Sequence, residues 1–314
     1  MESIRRHYDD KHPVLSLPAV TAILLFASLG TTGNYATANE AEELDHAVGS
    51  HVEPGAKKTE ELDPSHFDRS ENIDNAWWPL KAGMQWTYVG HTVEDGVKIP
   101  HRLVTTVTDL VKVINGVRTR VIFETDYSDG ELVEDELAYF AQDKAGNVWH
   151  LGEYVEVFED GELVGGKIWH VGNPKEAKAG IMMPTNPRPN TPSYSEGYAP
   201  PPFHWTDRGR VHQTGQKIQV AAGSYDDVLV IEEFDAEQPG AFQLKYYARG
   251  VGNVRVDWRG KGKWDTERLE LVKAIQLGEE ELARVRATAY ELEKRAGMFP
   301  RHPPMEHVPL VRRF

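Results

Sequence analysis

The sequence predicts a mainly β protein: a curved antiparallel sheet or partial barrel built from a meander, with one C-terminal helix. Three observations predict it. Asp-Gly recurs between runs rich in Val, Ile, Thr, Tyr and Phe, in "VEDGVKI", "YSDGELV" and "FEDGELVGG". Those runs alternate apolar and polar residues, as in Val104, Thr105, Thr106 and Val107 or Val117, Arg118, Thr119, Arg120 and Val121. The period then changes to helical steps over 279–296, near the end of the chain. Glycine accepts the positive φ of a tight hairpin and aspartate tolerates it, so each Asp-Gly marks a turn. Alternation gives a strand one core face and one solvent face. Strand lengths differ and their sequences do not match, which excludes a solenoid or propeller.

In chain order, residues 1–38 read as a signal peptide. Arg5, Arg6 and Lys11 supply a basic start, diluted by Asp9 and Asp10. An apolar, small-residue run follows, and Ala36-Thr37-Ala38 has the form of a cleavage site. The run is too short and interrupted for a good membrane span, so no stable span is expected after cleavage. Export, to the periplasm or beyond, is the expected localisation. Residues 39–70 are polar, acidic and without periodicity, which predicts a disordered linker.

The β domain is expected over 71–276. Turns are expected at Asp95-Gly96, Asp129-Gly130 and Asp160-Gly161, and also at Ile114–Gly116 and Lys144–Asn147. Residues 171–211 carry eight prolines and no strand pattern, so a long Pro-rich loop is expected there. Its tip, Pro187 to Pro202, is expected to supply few ladder hydrogen bonds. Strands resume with "GQKIQVAAGSYDDVLVIEEFD", "FQLKYYARGVGNVRVDW" and "ERLELVKAIQ". Residues 277–297 form the helix, with Leu282, Val285, Ala289 and Leu292 on one stripe and Gly297 as its stop. Residues 298–314 are a Pro-rich tail.

The 314 residues carry a net charge of -14 and no cysteine. The acidic balance opposes nucleic acid as a partner, since polyanions repel it. The missing cysteine excludes disulfides, thiolate catalysis and Cys-based zinc sites. No serine-hydrolase elbow, zincin motif or phosphate loop is present.

Aromatic residues are the most consistent functional signal. Trp149, Tyr154 and Trp169 fall on neighbouring strands, and Tyr194, Tyr198, Phe203 and Trp205 on the long loop. Such side chains combine an apolar body with a polar tip and suit a binding face. An ordinary aromatic core would use the same residues. The leading expectation is an exported, non-catalytic binding protein for an apolar or aromatic-friendly ligand, a lipid or glycan, with no cofactor. A metalloenzyme is the alternative. His170, His204 and His212, with Glu153 or Asp207, would hold zinc or copper. Carboxylates over Glu134–Glu136 and at Glu153, Glu156 and Glu159 could serve glycosidase chemistry, or form a solvated acidic face. In a third reading the 279–296 helix docks a protein partner in an envelope complex.

Four stretches in order, "NAWWPLKAGMQWTYVG", "AYFAQDKAGNVWHLGE", "GIMMPTNPRPN" and "LKYYARGVGNV", resemble a family of uncharacterised secreted bacterial proteins. The family pattern reads PLxPGxxWxY, then YAQDxxGNVWYxGE, then YYAPGVGxV. The resemblance spans roughly Asn72 to Trp258. It implies an exported curved antiparallel sheet, similar in layout to envelope proteins that bind lipoproteins or lipids, and no particular chemistry. This chain departs from the pattern in the middle loop, where "PPPFHWTDRGRVH" replaces an acidic stretch.

Overall fold

A computed structural model describes residues 55–94, 96–201, 203–237, 240–260, 266–297 and 303–310. The expected signal peptide and the linker up to residue 54 lie outside them. Fifteen strands are formed among the described residues. The first seven are β1 (Met84–Glu94), β2 (Val97–Ile114), β3 (Val117–Ser128), β4 (Glu131–Gln142), β5 (Val148–Glu159), β6 (Glu162–His170) and β7 (Lys178–Met183). Two-residue strands β8 (Tyr194–Ser195) and β9 (Gly197–Tyr198) follow. The second long run is β10 (Asp207–Val220), β11 (Gly223–Asp235), β12 (Ala241–Ala248), β13 (Gly252–Gly260) and β14 (Arg268–Gln276). After them come α1 (Glu279–Arg295) and β15 (Glu306–His307).

All pairings are antiparallel, and the order is β8-β10-β11-β12-β13-β14-β1-β2-β3-β4-β5-β7-β9. β6 pairs β5 and β15 pairs β2, both off this path. The sheet is not closed into a barrel. Its two ends, however, come from one segment: only Glu196 separates β8 from β9. Gly180 permits this approach, since a Cβ there would lie 2.1 Å from the Glu196 and Gly197 backbone.

The turn chemistry acts as expected. Asn115-Gly116, Asp129-Gly130 and Asp160-Gly161 all hold positive φ at both positions, the form that matches strand twist in two-residue hairpins. Gly96 has φ +80, while Asp95 lies outside the described residues.

The sheet has two buried faces. On the inner face the two halves of the curved sheet pack Trp86, Leu103, Ile122 and Phe140 against Leu229, Ile231, Val254 and Leu269. On the outer face Leu110, Val121, Leu137 and Tyr139 pack against Ala289 and Leu292 of α1 and Met305 of the tail. The Gly278 N–H donates to the Glu281 carboxylate at 3.0 Å and caps α1. Arg295 grips the buried Glu156 carboxylate through two 2.7 Å hydrogen bonds. The apolar stripe of α1 thus packs on the sheet.

Two expectations, the disordered linker over 39–70 and the long loop over 171–211, need correction. Residues 55–70 are ordered: Leu62 and Phe67 pack on the outer-face core, and Ser70 donates to the Arg118 carbonyl at 2.7 Å. Order there comes from contacts with distant strands, so no local periodicity announces it. Within 171–211, β7 forms from "KAGIMM" and β10 starts at Asp207. Ala199, Phe203 and Trp205 join Val155 and Trp169 in a third buried cluster. Aromatic burial orders this segment together with the short ladders of β7, β8 and β9.

Candidate functional site

The expected aromatic face does not form as one surface. Trp149 and Tyr154 belong to the outer-face core, where the Trp149 indole donates to Asp143 at 2.9 Å. Trp169, Phe203 and Trp205 lie together in the third cluster, with the Trp169 and Trp205 rings 6.4 Å apart. Tyr194 and Tyr198 are half-buried on β8 and β9. Strand alternation divides these side chains between faces.

The three candidate metal ligands are likewise apart. His204 pairs with Glu237 at 2.9 Å, and His212 lies 3.1 Å from Glu232. His170 is buried at the end of β6, its Nδ1 3.2 Å from the Val171 carbonyl oxygen. Among the described residues no group of three or more His, Asp or Glu side chains is arranged to hold a metal.

The inner face gathers carboxyls instead. Glu124 sits opposite Glu136, and Asp126 opposite Glu134, across β3 and β4. Glu153 follows on β5, opposite Ala138. The other half of the sheet adds Glu233 on β11, while Glu196 comes from the β8–β9 link and Glu267 precedes β14. All eight are buried. Asp135, between Glu134 and Glu136, and its cross-strand partner Glu156 point to the other face, where Arg295 lies.

Two cations answer this charge. His101 is held between Asp126 at 2.5 Å and Glu267 at 3.1 Å. Burial alone would lower its pKa, but the two carboxylates outweigh it and raise it to about 10. Lys245 lies 2.5 Å from Glu233. Burial pushes Glu134, Glu136, Glu153 and Glu196 well above the usual carboxyl range.

A β-bulge brings His150 into the same region. Between the pairs Ala138–Glu153 and Phe140–His150, β5 carries one extra residue, so residues three apart share a face. Gly152 sits in this bulge, where a Cβ would come 2.5 Å from the His170 backbone. His150 lies 3.5 Å from Glu153 and stacks on Phe140. Burial lowers its pKa to about 3, so it is neutral.

A cavity reaches this interior beneath the half-buried Trp78. One wall is Trp86 and Tyr88 of β1, Thr105 of β2 and Glu124 of β3. Facing it are Lys245 and Tyr247 of β12 and Asn253 of β13. The Tyr88 hydroxyl donates to the Asn253 carbonyl at 3.0 Å and ties the walls together. Gly252 (φ +102) allows the Trp78 indole to within 3.3 Å of where a Cβ would stand. The space is small, about 20 Å³ measured for the centre of a water molecule, enough for a water.

Three polar atoms in this lining have no hydrogen-bond partner among the described residues: Trp86 Nε1, Glu124 Oε2 and Asn253 Nδ2. Trp86 is 3% exposed and Asn253 5%. Glu124 accepts the Thr105 hydroxyl at 2.5 Å through its other oxygen, and burial raises its pKa to about 7. Unpaired buried polar atoms cost stability unless a water or another polar group reaches them.

Sequence reasoning passed over Glu124, Asp126, Lys245, Trp86 and Asn253. It did name Glu134, Glu136 and Glu153, which the fold brings to the acid-lined interior. The pairing of Glu124 and Asp126 with Glu136 and Glu134 about the Asp129-Gly130 turn appears only with the register shift between Asp126 and Tyr127.

No family model matches the chain, and no curated protein matches it. Two solved structures are similar in part. A candidate exported protein with a YmcC-like fold from Bacteroides fragilis is 13% identical, with a TM-score of 0.35. The match covers 64% of this chain and 99% of that one. A candidate lipoprotein from Parabacteroides distasonis is 12% identical with a TM-score of 0.32, covering 64% and 100%. At these scores neither carries an argument about this chain. Among the described residues no helix is long and apolar enough to cross a membrane.

Proposed function

We propose that the protein is an exported, non-catalytic binding protein whose ligand places one small polar group in the cavity beneath Trp78. The observation that carries this reading is the set of three unpartnered polar atoms on a lining of aromatic, aliphatic and charged side chains. Few precisely placed polar groups on an apolar wall are the usual chemistry of a small-molecule site. Export is supported by the basic start, apolar run and "ATA" site of the first 38 residues. A lipid tail or a glycan chain fits this interior poorly, because the space is small and its floor is Glu124 and Lys245.

Trp86→Phe tests the site. The substitution keeps an aromatic wall and removes the orphan N–H. A fragment panel read by thermal shift and tryptophan fluorescence should give hits on the parent that weaken about 3–10-fold in the variant, the worth of one buried hydrogen bond. Hits of equal strength on both proteins would move the site elsewhere.

A further inference from the structure

The chain carries a net charge of -14, yet one face of its sheet is basic. We propose that the acidic segment 39–54 of the exported chain docks back on this face, across β10 to β14, β1 and β2.

Cross-strand register puts the cations on one side. Arg210 pairs with Glu232, Glu232 with Leu244, and Leu244 with Asp257. Arg259 and Arg255 flank Asp257 at two-residue steps, and Arg255 pairs with Glu270. Glu270 pairs with Val89, and Val89 with Arg102. Arg268 and Lys273 lie opposite His91 and Thr87, which flank Val89 in the same way. Paired residues share a face, as do residues two apart in a strand. This face is the outer one, opposite that of Trp86 and Tyr88.

Positive charge is in excess there. Arg102, Arg210, Arg255, Arg259, Arg268 and Lys273 meet only Glu232, Asp257 and Glu270 along these pairings. Glu232 is buried and shared by Arg210 and Arg259, and Asp257 is shared by Arg255 and Arg268. The Arg102 guanidinium lies over the Tyr127 ring, 3.8 Å from its centroid. A guanidinium held on a ring keeps its N–H edge for a carboxylate. Among the described residues neither Arg102 nor Lys273 is paired with a carboxylate.

The occupant follows from where the chain enters. Arg208, two residues before Arg210 and on the same face, donates to the carbonyls of Lys57 at 2.9 Å and Lys58 at 3.3 Å. A Cβ on Gly55 would stand 3.7 Å from Pro192. β8 runs antiparallel to β10, with Ser195 opposite Arg208 and Tyr194 opposite Gly209, so Pro192 lies toward Val211 and His212. Followed back from 58 to 55, the chain therefore heads from Arg208 past Arg210, to the edge of the basic face. Residues 39–54 hold Glu40, Glu42, Glu43, Asp45 and Glu53, and no Lys or Arg. Extended, a segment of that length reaches about 50 Å. The crossing from β10 to β2 takes six strand spacings, about 29 Å. Leu44, Val48 and Val52 add apolar contact for the exposed Val89 and Val272.

The experiment uses the purified exported chain, as an equal mixture of isotope-labelled and unlabelled copies, with a zero-length carbodiimide that joins carboxyls to lysines. Acids of 39–54 should link within one copy to Lys98 and Lys273, both exposed on this face. The yield should fall at least about threefold from about 0.01 M to about 1 M salt, as the screening length drops from about 30 Å to about 3 Å. Links only to Lys57 and Lys58, the next lysines in sequence, overturn the proposal. Links to Lys98 and Lys273 only between labelled and unlabelled copies overturn docking within the chain and assign the face to a second copy. Acetylation rates give a readout that does not consume the carboxyls. In a variant with Glu40, Glu42, Glu43 and Glu53→Gln and Asp45→Asn, Lys98 and Lys273 should react about threefold faster than in the parent, the worth of a few surface charge pairs. The exposed Lys217, paired with Asp226, is the reference for these rates. Equal rates in parent and variant overturn the proposal and leave the face to an acidic partner protein. The salt series needs only the parent protein.

Discussion

Glu124→Gln should make the protein less sensitive to pH, by an amount the structure sets. In the unfolded chain Glu124 gives up its proton near 4.5, and in the folded chain near 7. Below 4.5 both states are protonated and the group's contribution to stability is complete. Between the two values only the folded state holds the proton, so rising pH draws the equilibrium toward the unfolded chain. The loss is complete once pH passes about 7. A shift of that size is worth about 3 kcal/mol at 1.36 kcal/mol per unit. Glu136 titrates alongside, which spreads the loss over a wider pH range. His150 works in the opposite direction. Its pKa is lowered from 6.5 to about 3, so its contribution is lost as pH falls through that window. Parent and variant share His150, and it cancels in their difference. Urea unfolding in steps from about pH 4.5 to about pH 8 measures this difference. Parent stability minus variant stability should fall by about 3 kcal/mol across the series. Parallel curves would mean that Glu124 is hydrated in solution and that the interior is not the dry acid-lined space described above.

Gly180→Ala should lower stability by about 1–3 kcal/mol or more, because the added Cβ meets rigid backbone at 2.1 Å, not a movable side chain; a melting temperature within a degree or so of the parent would refute this. Arg295→Ala strips the fork from the fully buried Glu156 carboxylate and should cost about 1–3 kcal/mol, discounted because the arginine is 43% exposed. Glu156→Gln in the same background should recover part of that loss in chemical denaturation. Deletion of 187–202 should unfold the sheet in circular dichroism, since it removes β8, β9 and the buried Ala199. A folded deletion variant would show that this segment is an accessory loop.

Much of the fold was legible because it is local. Asp129-Gly130 and Asp160-Gly161 fix two hairpins with their own backbone preferences, and the 282–292 stripe fixes a helix. The interior was harder to read for a physical reason. Facing pairs such as Glu124 and Glu136 depend on register, and the β3–β4 register shifts between Asp126 and Tyr127. Counting outward from the turn without that bulge puts the acids opposite the wrong partners. His150 and Glu153 show the same effect, since residues three apart face together only through the bulge at Gly152. Trp205 misled in another way: an aromatic in a Pro-rich stretch reads as a ligand contact, yet its burial is what orders the stretch.

The strand order also has a consequence for how the chain reaches this state. β1 to β5 pair with sequence neighbours, as do β10 to β14, so each run can zip along its own hairpins. The β14–β1 ladder instead joins 84–91 to 268–276, across most of the described chain. Its closure carries the entropy of a very long loop, which must be met before any of its contacts form. Two quickly formed ribbons and one slow seam follow from this wiring. Until the seam closes, the edges of β1 and β14 are open templates for other chains, and it is in that interval that the protein is most exposed to misassembly.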